Sequence, residues 1–264
     1  MSARDFLIRG LLAGLVAAFA AFAVAYVVGE PPVRAAIALE DSAGGHSHGT
    51  EAAESTEHAE PEAAAAGEVE VPRSLQSTLG LLTGLLVAGV TLGGLVGVVS
   101  AMAMGRFGRL TPRSTTLAVA AMAFVAVYVV PFLIYPPNPP AVGSGDTIGM
   151  RSALYFIFLA ISLIAAVTAV LVGRRLRQRV GGWHAALIGV AGYVIAMLVV
   201  MTLMPHYNEV PDTFPASVLY DFRRASFLTQ FTLWTVLGVV LAELVGRLSR
   251  PASSPDRALA DVRG

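Results

Sequence analysis

Six apolar stretches, each about 20 residues long or slightly more, separate polar loops whose charge changes sign from one loop to the next. They run from Phe6 to Val28, Leu79 to Met104, Thr115 to Tyr135, Ser152 to Val172, His184 to Met204 and Ser226 to Val245. A helix rising about 1.5 Å per residue needs about 20 residues to cross roughly 30 Å of hydrocarbon, so each stretch is long enough. Lipid offers no partner for backbone N–H and C=O groups, and only helices and closed barrels satisfy their own. The sequence therefore predicts an all-α, polytopic integral membrane bundle of six transmembrane helices.

Arginine orients the bundle. Arg4 and Arg9 belong to the start, Arg106, Arg109 and Arg113 lie between the second and third stretches, and Arg174, Arg175, Arg177 and Arg179 lie between the fourth and fifth. With Arg247, Arg250, Arg257 and Arg263 after the sixth, one face collects 13 of the 18 basic residues. The positive-inside rule makes that face cytoplasmic, with both termini inside. The opposite loops hold Arg34, Arg73, Arg151, Arg223 and Arg224 against the acids between Glu30 and Glu70 and against Asp146, Glu209, Asp212 and Asp221. A formal net charge of zero thus conceals a dipole across the membrane.

The first stretch begins like a signal peptide, but its apolar core exceeds the 7 to 15 residues usual for one. A retained helix is the preferred reading, with cleavage near Ala35 as the alternative. The cations are all arginine and alanine is abundant, which points to the plasma membrane of a bacterium with a GC-rich genome. Without cysteine there is no disulfide framework and no thiolate metal site.

Residues 1–248 read as a single transmembrane domain. Between its first two spans, Asp41 to Glu70 is rich in alanine, glycine, glutamate and serine, cannot bury a core, and reads as a disordered external loop. Gly29-Glu30-Pro31-Pro32 and Val71-Pro72-Arg73-Ser74 flank it as helix breakers. Residues 249–264 read as a disordered cytoplasmic tail.

The stretches carry no carboxylate or arginine at their middles, and Glu243, four residues before Arg247, reads as an interfacial ion pair. No HExxH, P-loop or GxSxG motif occurs, so nothing in the chain specifies an enzyme or a tightly bound cofactor. Gly89, Gly93, Gly97, Ala101 and Gly105 fall on one ridge, and Gly10 with Gly14 repeats the spacing in the first stretch. Close helix packing explains both, within the chain or between subunits. Met197, Met201 and Met204 line up toward His206, as core packing or as a thioether ladder for a soft ion.

His46, His48, His58 and His206 fall on the acidic outer face, and imidazole with carboxylate suits divalent cobalt, nickel, zinc or copper. His46-Ser47-His48 with Glu51, Glu54, Glu57 and His58 reads either as a loose chelator or as an ordinary polar linker. The outer loops also hold Tyr128-Val129-Val130-Pro131-Phe132-Leu133-Ile134-Tyr135-Pro136-Pro137-Asn138-Pro139-Pro140, then Asp146-Thr147-Ile148-Gly149, and Asn208-Glu209-Val210-Pro211-Asp212-Thr213-Phe214-Pro215. Proline turns there can hold Asn138, Asp146, Asn208 and Glu209 in place.

Together with Gly29-Glu30-Pro31-Pro32-Val33 and Leu79-Gly80-Leu81-Leu82-Thr83-Gly84, these segments resemble the CbtA family of predicted cobalt transporter membrane subunits, from about Phe6 to Gly246. The resemblance implies cobalt uptake linked to cobalamin synthesis, with cobalt ion as substrate, beside a small single-span, histidine-bearing CbtB-like partner. The combined reading is a membrane subunit for uptake of cobalt or a related divalent metal. His46, His48 and His58 capture the ion, and His206, Glu209, Asp146 and Asn138, with Asn208 nearby, form the mouth. The alternative is a nontransporting membrane scaffold or a metal-sensing accessory subunit.

Overall fold

The computed structural model describes residues 2–44, 75–108 and 110–248, and no strand occurs among them. His46, His48 and His58, the greater part of the acidic loop, the Val71-Pro72-Arg73-Ser74 breaker and the tail from residue 249 lie outside the described residues.

The helices are α1 (Ala3–Val24), α2 (Glu30–Gly44), α3 (Leu81–Ala103), α4 (Pro112–Phe124), α5 (Val130–Ile134), α6 (Ile148–Leu203) and α7 (Ala216–Leu248). A π-helical turn at Ala25–Gly29 fuses α1 to α2, and another at Val125–Val129 fuses α4 to α5. Among the described residues five helical segments are long and apolar enough to cross a membrane, and the six expected stretches fall on these five because two of them share one segment. The fourth and fifth apolar stretches share α6, which doubles back at Gly181, where φ is 81° and ψ is 164°. Only glycine adopts that backbone readily. A Cβ on Gly173 would stand 3.2 Å from the Ala185 carbonyl oxygen, and one on Gly189 would stand 3.0 Å from that of Ala169. Both contacts join residues equally spaced about the turn, so the arms run antiparallel and side by side. The loop expected between those stretches shrinks to a glycine turn because each arm stays helical up to it.

The prolines after Gly29 do not break the helix as expected. Proline lacks an N–H and its ring strikes the carbonyl four residues back, which ends or kinks a plain α-helix. Here the widened turn comes first: Glu30 N–H reaches back five residues to Ala25, and Pro31 follows where the next turn has already been re-spaced. Val130 N–H does the same to Val125 just before Pro131. The helix continues to Gly44 in one case and to Ile134 in the other, so the first residues of the predicted acidic loop, Asp41–Gly44, are helical.

The core runs between α1, α3, α4 and α7, with Phe6, Ala13, Ala17, Val96, Val119, Leu233, Leu237 and Leu241 buried in it. Glycine lets α1 and α3 touch through their backbones. A Cβ on Gly97 would stand 2.5 Å from the Phe6 carbonyl oxygen, one on Gly89 2.7 Å from that of Gly14, and Gly10 and Gly93 face each other more closely still. The small-residue ridge therefore packs within the chain. Between α4–α5 and α7, the rings of Phe124, Tyr128, Phe132, Phe227 and Phe231 form a ladder with centroids 5.6 to 6.3 Å apart. The α6 hairpin rests on this side, where Phe158, Met197 and Val130 are buried and Met201 and Met204 pack around them. Core packing thus accounts for the methionine row.

Candidate functional site

The helix ends sort the charges. Phe6 beside Gly97, Arg113 beside Gly246 and Arg177 beside Gly108 place the start of α1, the end of α3, the start of α4, the α6 turn and the end of α7 at one end. That is the arginine-rich end. Arg113 Nη2 donates to Glu243 Oε2 at 2.6 Å, and Arg247 Nε donates to Glu243 Oε1 at 3.3 Å. The expected pair with Arg247 is present, and a second arginine from α4 joins it. Their exposure to solvent makes this a weak, orienting interaction.

At the opposite end, the proline-rich segment after α5 is held to both neighbours. Tyr135 OH donates to the Pro205 carbonyl at 2.9 Å, and Arg223 Nη2 of α7 donates to Asn138 Oδ1 at 3.0 Å. Asn138 is therefore occupied in joining its loop to α7. The segment then turns through Ala141, at φ 64°, and Gly143, at φ 111°. A Cβ on Gly143 would collide with the Arg151 guanidinium, so glycine makes room for that side chain.

Glu209 closes this region. Thr147 Oγ1 donates to Glu209 Oε1 at 2.6 Å, the Ser144 amide donates to Oε2 at 3.1 Å, and Arg151 Nη1 lies 3.2 Å from Oε2. The Thr147 bond, followed by the Ser144 amide and the Arg151 charge, holds the carboxyl below its ordinary range. Both oxygens are already engaged by protein donors, so Glu209 acts as a clasp between the start of α6 and the segment after it. The sequence reading holds Glu209 in a proline turn as part of the mouth; the Ser144–Arg151 turn supplies donors to it that the linear sequence does not display. Asp146 lies within the clasped turn and is exposed, as are His206 and Asn208 in the other segment, where Asn208 Oδ1 accepts from the Val210 amide at 3.4 Å. Among the described residues no three His, Asp or Glu side chains converge as a metal site would require.

Two polar features escape the linear reading. Glu30 is 5% exposed, in the first turn of α2, with Arg34 at 3.7 Å. It sits inside a motif that reads as a chain break, so its burial is invisible until the π turn carries the helix on. The second lies near the middle of three apolar stretches. Val130 N–H is spent on Val125, and Pro131, five residues after Ala126, has no N–H, so the Ala126 carbonyl lacks a donor from its own helix. Ser162 Oγ, fully buried, donates to it at 2.7 Å, and the Tyr193 hydroxyl lies 2.9 Å from Ser162 Oγ. Since a carbonyl only accepts, Ser162 spends its proton there and Tyr193 donates to Ser162. Pro131 within one apolar stretch, with Ser162 and Tyr193 near the middle of two others, is the available sequence signal.

The class so defined is a polytopic helical membrane protein with charge separated between its ends and a clasped, proline-built end opposite the arginines. The chain belongs to the CbtA family: the family model described as "Probable cobalt transporter subunit (CbtA)" matches residues 3–246, nearly its whole length. It is a family of transporter subunits and not of enzymes. No curated protein and no solved structure matches the chain.

Proposed function

We propose that this subunit brings divalent cobalt into the cell across the bacterial plasma membrane, with metal captured on the outer face and both termini in the cytoplasm. The observation that carries the reading is the family match, which runs through the outer loops as well as the helices. The gathering of arginines at the end where α1 begins and α7 finishes supports the orientation.

In this reading His46, His48 and His58 collect the hydrated ion, and Asp146 and His206 receive it. The Glu209 clasp supports that pairing of roles, since it ties the turn containing Asp146 to the segment containing His206. Asn138 and Asn208 shape the loops. Cobalt is cargo and no resident cofactor is involved; a small single-span CbtB-like subunit completes the system.

Uptake of radioactive cobalt into cells tests this reading. Removing residues 45–70 should weaken uptake when metal is scarce more than when it is plentiful, because a chelator ahead of the passage raises capture and leaves the passage itself intact. Equal uptake at every concentration would leave the loop a spacer, and no cobalt uptake by the complete system would favour the scaffold or sensor. Single cysteines placed between residues 45 and 70 and after Arg250 report orientation, since the chain has none of its own. External labelling of the tail would overturn the topology.

A further inference from the structure

The arginine-rich end contains a recess of about 350 Å³ lined by Gly105, Arg106, Gly108, Arg174, Arg177 and Gln178. We propose that this recess binds a phosphate group, and that the membrane supplies it as the headgroup of an anionic phospholipid. The inference rests on the bilayer reading of the helices and is independent of cobalt transport.

Charge comes first. Asp5 and Glu243 are the acids at this end among the described residues, and Glu243 is shared by Arg113 and Arg247. None of the ion pairs among the described residues uses Arg106, Arg174 or Arg177. Arg106 also donates to the Met102 carbonyl, which fixes its direction at the end of α3. Three arginines lining one hollow carry like charge, and an anion bound there relieves their repulsion while accepting guanidinium N–H groups in pairs.

The backbone is shaped for this arrangement. Gly105 and Gly108 have φ of 71° and 78°, and a Cβ on Gly108 would overlap the Arg177 guanidinium. Arg177 also passes Gly182, its Nε lying 3.6 Å from where a Cβ there would be. Two glycine turns thus let one side chain cross from the hairpin to the segment between α3 and α4. This placement is more specific than a general excess of positive charge facing the cytoplasm.

Depth selects the source of the phosphate. The first arm of α6 extends from Ile148 to Val180, about 50 Å at 1.5 Å per residue, and so overshoots the hydrocarbon. The register that opposes Gly173 to Ala185 sets Arg174 level with His184. Trp183 next to it is 73% exposed, as a ring at the lipid headgroup level should be. Basic pockets between helices at this depth suit lipid phosphates.

The full chain, purified and reconstituted in phosphatidylcholine nanodiscs containing a minor share of phosphatidylglycerol, tests the proposal by counting the anionic lipid retained per protein. Arg174→Gln with Arg177→Gln should lower retention about ten-fold, the loss of roughly one charge-assisted contact or more. Arg175→Gln with Arg179→Gln removes the same charge beside the recess and should change it little. Arg177→Lys should retain an intermediate amount, and melting temperatures in phosphatidylcholine alone identify any variant that has lost its fold. Competition by millimolar inorganic phosphate or glycerol phosphate would keep the phosphate chemistry and assign it to a soluble ligand. Equal losses in both arginine pairs, or none in either, would overturn the site.

Discussion

Where α1 meets α3 the helices touch through backbone atoms, and where the π turn between α4 and α5 meets the α6 hairpin they touch through two hydroxyls and an orphaned carbonyl. The glycine seam has little that can adjust: Gly10, Gly14, Gly89, Gly93 and Gly97 each meet backbone atoms of the facing helix, and a Cβ on any of them collides. The proline side is the reverse. Its polar contact exists because one helix cannot satisfy its own backbone, and removing a hydroxyl changes its bonding without changing its shape much. A membrane bundle can therefore obtain tight packing by subtraction of side chains or directed contact by subtraction of a backbone donor, with different tolerance to change.

Substitution of the seam should produce the largest effect. Gly93→Val places atoms against the Gly10 carbonyl and the Gly14 backbone, neither of which can rotate away. A cost on the order of 3 kcal/mol follows from forced overpacking, read as loss of protein from the membrane fraction and a lower melting temperature in detergent. Gly192→Ala, whose new Cβ meets no atom within 4 Å beyond its own helix backbone, should be neutral or slightly stabilising by the same assay. Equal damage by both would remove the seam from the argument.

At the proline side, Ser162→Ala leaves the Ala126 carbonyl without its donor and Tyr193 without its acceptor, whereas Tyr193→Phe removes only the outer bond. The first should cost about 1 kcal/mol and the second less, with the double variant no worse than Ser162→Ala alone. Additive losses would show that the two hydroxyls act separately.

The smallest and most local effect concerns the Glu209 clasp. Its folded carboxyl titrates below its ordinary value of 4.5, so its contribution is complete above that value and is lost as pH falls through the depressed one. Protease access to the Ser144–Arg151 turn should accordingly rise as pH falls below 4.5. Glu209→Gln should raise access at neutral pH and flatten its dependence on pH. An unchanged acid response in that variant would assign the response to another group.

The sequence makes the membrane class legible because hydrophobic length and arginine placement are properties of the linear chain. Gly181 was harder to read: a hairpin turn needs only one unusual φ, and the flanking arginines suggest a loop just as well. Pro31 misled because the penalty for proline assumes α-helical spacing, which the π turn changes, whereas the stretch expected from Thr115 to Tyr135 does run helical through Pro131. Glu209 and Asn138 were legible as members of ordered loops, but their partners, Thr147 and Arg151 in one case and Arg223 in the other, are fixed by folding. The roles of His46, His48 and His58 lie in 45–74, outside the described residues, and rest on the sequence.

The turn at Val125–Val129 also sets an angular phase. An α-helix advances about 100° per residue, and a π turn takes up one residue more than an α turn while adding little length. The face of α5 is thus rotated relative to the one that counting from α4 would give. Val130 and Pro131 lie buried on that rotated face, Val130 against Phe158 and Met197 of the hairpin. A wheel drawn straight through the segment puts their neighbours in the wrong place, and the chain needs the additional residue to aim the last turn of the helix inward.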